Sequence, residues 1–196
     1  NATVANITIN NGTIRRTDAS GINKTGFLSA GTTLTINGAG TLIDQGNDNS
    51  SGFLTIDGPI VVNNGGVLTL NAVNSGTDEV RLGGSQSITI AAGGTIVTTG
   101  AGTKSFGSGS ARNIIGQGTS ASEATITLGS GTTANAGTSF TVNGSGTGGL
   151  RIEGTQANVD ALVTAARLQG LTGSGGTFTI AYSDNGSRTI SDDPSS

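Results

Sequence analysis

The chain has 196 residues, 104 of them Gly, Thr, Ser or Asn, and only 11% are charged. Gly costs about 1 kcal/mol per helical position and the other three are poor helix formers, which argues against long helices and against a wide core built from large side chains. Cys and His are absent and the formal charge is −3, which excludes disulfides, thiolate metal sites and the Ser-His-Asp triad and argues against a nucleic-acid partner.

The chain opens at Asn1 with no Met and no leader, as expected of a matured product or of a piece of something longer. Its first apolar run, Ala2 to Ile9, alternates apolar and small polar residues and carries no charge and no Pro. From there a short motif recurs: an apolar residue, a Thr, an apolar residue. It stands at Ile7–Ile9, Leu34–Ile36, Leu54–Ile56, Leu68–Leu70, Ile88–Ile90, Ile126–Leu128, Phe140–Val142 and Phe178–Ile180. In a strand this puts two apolar side chains on one face and a β-branched Thr on the other. The pairs Asn37-Gly38, Asp57-Gly58, Asn143-Gly144 and Asn185-Gly186 follow such runs and are expected to form tight turns with positive φ.

Short strands at this spacing suit two all-β architectures, an elongated parallel β-solenoid or a β-sandwich. A sandwich needs large residues to fill the roughly 10 Å between its sheets. The solenoid is therefore the expected fold, with Ile36, Ile56, Leu70, Ile90 and Leu128 pointing inward. One segment departs from the β pattern. Residues 156–168 lack Gly and Pro, and Val159, Leu162, Val163 and Ala166 follow the helical period. This predicts one short helix near the C-terminus, with Thr155 as N-cap and Gly170 as stop. The expected organisation is a repetitive β body over 1–148, then a strand–helix–hairpin end piece over 149–196 that caps the stack.

Stretches such as Gly38–Ile43 and Gly65–Asn71 resemble the Gly/Thr/Asn-rich repeats of bacterial autotransporter passengers and filamentous adhesins, which are exported β-solenoids. Residues 150–162, together with 177–186, are similar to the end of cadherin-like modules in large bacterial surface proteins. Both resemblances imply a non-enzymatic protein of the cell surface or extracellular space.

Hard oxygen ligands suitable for calcium gather at Asp44 and Asp48, and again at Asp184 and Asp192. No other metal or cofactor is expected. A carbohydrate-cleaving β-helix would draw on Arg81, Arg112 and Arg151 as bases and on Asp78 and Glu79 as acids. The shortage of aromatic rings for stacking sugars speaks against it. The expected role is a structural subunit of an extracellular fibre, sheath or adhesin. Its partners would be other copies of itself, joined head to tail through Ala2, Val4, Ile7 and Ile9 by strand addition. Surface polysaccharide is a further candidate partner, and no membrane-spanning run is present.

Overall fold

The computed structural model describes residues 6–16, 28–45, 53–75, 78–119, 121–143, 149–165, 167–169 and 177–191. They form a parallel β-solenoid of about five turns with three faces. β1 (Asn6–Arg16) and β2 (Thr33–Asp44) each bend around one corner and so cover two faces, while β3 (Leu54–Thr55) lies on the third. Three complete three-strand turns follow. They are β4 (Ile60–Val62), β5 (Val67–Ala72) and β6 (Glu79–Leu82); β7 (Ile88–Ala91), β8 (Thr95–Thr99) and β9 (Thr103–Phe106); and β10 (Asn113–Gln117), β11 (Ala124–Leu128) and β12 (Thr132–Ala134). After β13 (Ser139–Val142) and β14 (Gly149–Gly154) comes the helix α1 (Gln156–Ala165), packed on the third face beside β12. The chain ends in β15 (Arg167–Gln169), β16 (Thr177–Tyr182) and β17 (Gly186–Ser191).

Register turns the sequence motif into columns. On the first face Ile7, Leu34, Ile60, Ile88, Ile114 and Phe140 stack on one another. On the second, Leu68, Ile96, Ile126, Ile152 and Ile180 do the same. The residues expected to face inward do so: Ile36, Ile56, Leu70 and Ile90 are fully buried and Leu128 is 4% exposed. Each fully buried Leu or Ile contributes about 1.5–3 kcal/mol relative to exposure, so the ladder is the main source of stability.

The motif's irregular spacing along the chain has a simple cause. Successive copies lie on different faces: Leu34 on the first, Leu54 on the third, Leu68 on the second. Within one face, partners are mostly 26–28 residues apart, as in Leu34–Ile60–Ile88–Ile114.

Two details differ from expectation. Gly38 and Gly58 do not take positive φ. They are required for closeness instead, since a Cβ would lie 1.8 Å from the Asn10 carbonyl oxygen at Gly38 and 1.8 Å from that of Thr32 at Gly58. Positive φ occurs at the stacked corner glycines Gly65 and Gly93, and at Gly186 in the final hairpin as foreseen; Gly144 lies outside the described residues. The helix also ends earlier than its period suggests. Val159 and Leu162 are buried as expected and the Asn158 N–H donates to Thr155 Oγ1 at 3.3 Å. But Leu168 belongs to β15, which pairs with β13 in register with Phe140. Strand pairing of β15 with β13 takes the place of one more helical turn, and Ala166 lies outside the described residues.

Among the described residues, β17 is the antiparallel strand of the main sheet, and it covers the outer edge of β16. The stack runs without interruption through β11, β14 and β16, on both sides of residue 148.

Truncating the ladder tests the orientation. Leu70→Ala should lower the unfolding free energy by about 2–5 kcal/mol in urea titration, whereas Thr69→Ala on the opposite face should cost less than about 1 kcal/mol. Equal losses at the two positions would contradict the inward assignment.

Candidate functional site

Three basic side chains lie inside the wall of the solenoid. Lys104 follows Leu54 and Val80 in an inward column and is fully buried. Its ammonium donates to the carbonyl oxygens of Gly100 (2.8 Å), Gly102 (2.7 Å) and Ser130 (2.7 Å), which uses all three of its protons. Burial pushes its pKa below the usual lysine range. Arg112, 1% exposed, sits at the corner leading into β10. Its guanidinium donates to the carbonyls of Ile56 (2.9 Å), Gly83 and Gly58, so it ties three consecutive turns together. Burial lowers its pKa to about 10, against the pull of nearby Asp57. Arg16 pairs with Asp44 at 2.5 Å.

That pair decides what Asp44 does. The carboxylate is fully buried, and its second oxygen accepts the Glu79 N–H at 2.8 Å. Burial raises its pKa, partly offset by Arg16 and by that N–H. Asp48 lies outside the described residues, as does Asp192. Asp184 accepts the Gln156 N–H at 2.8 Å and so fastens the final hairpin to the first turn of α1. Beside it, Asn185 donates to Gln156 Oε1 and Tyr182 Oη to Asp160. Among the described residues no three metal-ligating side chains converge.

The closest surface ion pairs join residues two apart on one strand. Arg81 binds Glu79 at 2.6 Å and lies over the Phe53 ring, with Ser105 donating to the other Glu79 oxygen. Asp78 accepts the backbone and side-chain N–H groups of Asn74. On the second face Arg151 binds Glu153 at 2.9 Å and approaches Glu123 at 3.8 Å. The Arg151 hydrogen bond holds the Glu153 carboxyl below its ordinary value, helped by Thr127 and opposed by burial. Of the bases considered from sequence, Arg112 is interior, while Arg81 and Arg151 are already bound to acids.

The N-terminal end presents an open strand edge that runs over two faces. β1 pairs with β2 along one edge, and among the described residues no strand pairs with the other. Residues 7–14 line a depression of about 400 Å³ at this open end. Ile9 is 7% exposed, and Ile7 and Ile14 are half-buried against the core. Ala2 and Val4 lie outside the described residues. The first corner is pinned by a ladder in which Asn63 donates to Asn37 at 2.7 Å and Asn37 to Asn10 at 3.0 Å.

Sequence reasoning missed the interior cations and the asparagine ladder. The signal for Lys104 was present: it stands two residues before Phe106, so a buried Phe106 puts both on one side of the strand. The ladder needed the 26- and 27-residue offsets between Asn10, Asn37 and Asn63, which the mixture of faces concealed. Compared with known proteins, the chain matches no family model, no curated protein and no solved structure.

Lys104→Met keeps the volume but leaves three inward carbonyls without a donor; it should cost about 3 kcal/mol by urea unfolding. A variant as stable as the parent would show that the carbonyl cage contributes nothing. For Glu153 the folded-state pKa lies below the ordinary 4.5. Its stabilisation is therefore present above that value and lost as pH falls through the depressed one. The side chains of Arg151 and Glu153 are 32% and 34% exposed, so screening keeps the effect under about 1 kcal/mol. Glu153→Gln should remove this part of the acid-side slope in thermal melts.

Proposed function

We propose that the protein is a structural subunit of an extracellular fibre, sheath or adhesin that associates with copies of itself through β-strand edges. The observation that carries this reading is β1. It is an 11-residue strand with one unpaired edge among the described residues, uncharged from Asn6 to Ile14, at the open apolar end of a ladder. Such an edge is a template for another strand, and natural proteins usually cover, bend or charge it. The resemblance of the repeats to exported bacterial solenoids supports an extracellular setting. The ionisable groups also fit a scaffold: Lys104, Arg112 and the Arg16–Asp44 pair bind the turns to one another.

A second reading, a carbohydrate-binding or carbohydrate-cleaving β-helix, draws on Glu123 and Glu153 flanking Arg151 on one face. Incubation with acidic polysaccharides separates the two, and the structural reading predicts no bond cleavage.

Deleting residues 1–10 should abolish association in light scattering while leaving a β-type circular dichroism spectrum. A full-length protein that stays monomeric at every accessible concentration would overturn the proposal.

A further inference from the structure

We propose that the N-terminal end is a self-complementary docking surface for a second copy of this chain. β1 pairs antiparallel with the β1 of that copy across a two-fold axis through the corner at residues 10–11. This rests on the self-association part of that reading and narrows it: β1 joins two rods N-end to N-end into a closed pair, and a fibre would have to extend from such pairs through contacts other than β1.

The argument starts from the irregularity in β1. Ile9 lies beside Ile36, but Asn11 lies beside Ala39, so the register shifts between them. The shift changes which residues face inward. On the first face they are Ile7 and Ile9, in line with buried Leu34 and Ile36; on the second they are Gly12, Ile14 and Arg16, in line with Gly40, Leu42 and Asp44.

A two-fold axis through the corner lays the first face of one copy against the second face of the other. Antiparallel pairing then sets Ile7 across from Ile14, Thr8 from Thr13, Ile9 from Gly12 and Asn10 from Asn11. Directly opposed residues in an antiparallel pair project to the same side. Inward Ile7 and Ile9 therefore meet inward Ile14 and Gly12, and the Thr residues meet outside. Without the shift, the same pairing would set inward Ile7 against an outward-facing Ile14. The charges also suit: Arg15 faces Asn6, not another Arg, and Arg16 is already neutralised by Asp44. Contacts of this kind are isologous and close at two copies.

The strands that end the sheet at the opposite end, β15 and β17, each lie on one face and so do not offer the same fit. On the second face β16 is already covered by the antiparallel β17. On the third, α1 lies where the next strand would stack. A helix about 10 Å across cannot occupy a strand spacing of about 4.8 Å, so a copy arriving there would stand off from the ladder.

The chain contains no Cys, so introduced pairs report geometry without background. Thr8→Cys, Thr13→Cys and, in β17, Thr189→Cys are prepared separately and mixed in pairs under mild oxidation. The expected result is at least about tenfold more disulfide-linked dimer from Thr8→Cys mixed with Thr13→Cys than from either alone. In the proposed register two Thr8 positions lie roughly 16 Å apart along the strand, well beyond disulfide reach. Cross-linking of Thr8→Cys to Thr189→Cys would overturn the two-fold arrangement in favour of head-to-tail contact, leaving self-association intact. Absence of cross-linking in every mixture, together with a monomer in light scattering, would overturn both.

Discussion

Everything in this molecule depends on one constraint: the backbone hydrogen bonds run along the stack, so each turn must return the chain to the same point beside its predecessor. Turns of mostly 26–28 residues meet that requirement on all three faces. Because neighbouring turns are in register, like residues form columns, and a column of Ile and Leu excludes water from a bore only a few side chains wide. A thin core of this kind needs few large residues, so a chain that is more than half Gly, Thr, Ser and Asn can still fold.

The constraint also explains the buried cations. The step from Val80 to Lys104 is four residues shorter than that from Lys104 to Thr132; its last corner turns the Gly100 and Gly102 carbonyls toward the Lys104 ammonium, and the Ser130 carbonyl of the next turn joins them. An ammonium satisfies all three, where an apolar side chain would leave them without donors. Arg112 acts in the same way over a longer reach, joining carbonyls from two earlier turns. Both residues replace missing backbone pairing between turns. Breaking either leaves buried carbonyls unsatisfied, which concentrates the cost of mutation at a few positions.

The fold was legible in the sequence because strand polarity is local. Leu54-Thr55-Ile56 states its own inside and outside, and the Gly/Thr/Asn composition rules out thicker architectures. The turn length was harder to read, since successive motifs fall on different faces and their spacing mixes within-turn and between-turn steps. Corner geometry was only partly legible: Asn37-Gly38 has the composition of a turn, but its Gly is needed because the Asn10 backbone passes within contact. Asp44 illustrates the limit for sites. Its neighbours in sequence suggested an exposed oxygen cluster, and only the register of β1 on β2 places Arg16 beside it. Long-range pairing of this kind leaves no mark in the local sequence.

The two ends of the solenoid are therefore built differently. At one, α1 and β17 lie across the last strands; at the other, β1 presents an edge that is uncharged from Asn6 to Ile14. The most direct measurement is residue-resolved amide hydrogen exchange on the full chain at increasing protein concentration. The account predicts that amides of β1 gain protection as concentration rises, approaching that of β5, while those of β17 do not change. Protection of β1 that is independent of concentration would contradict it.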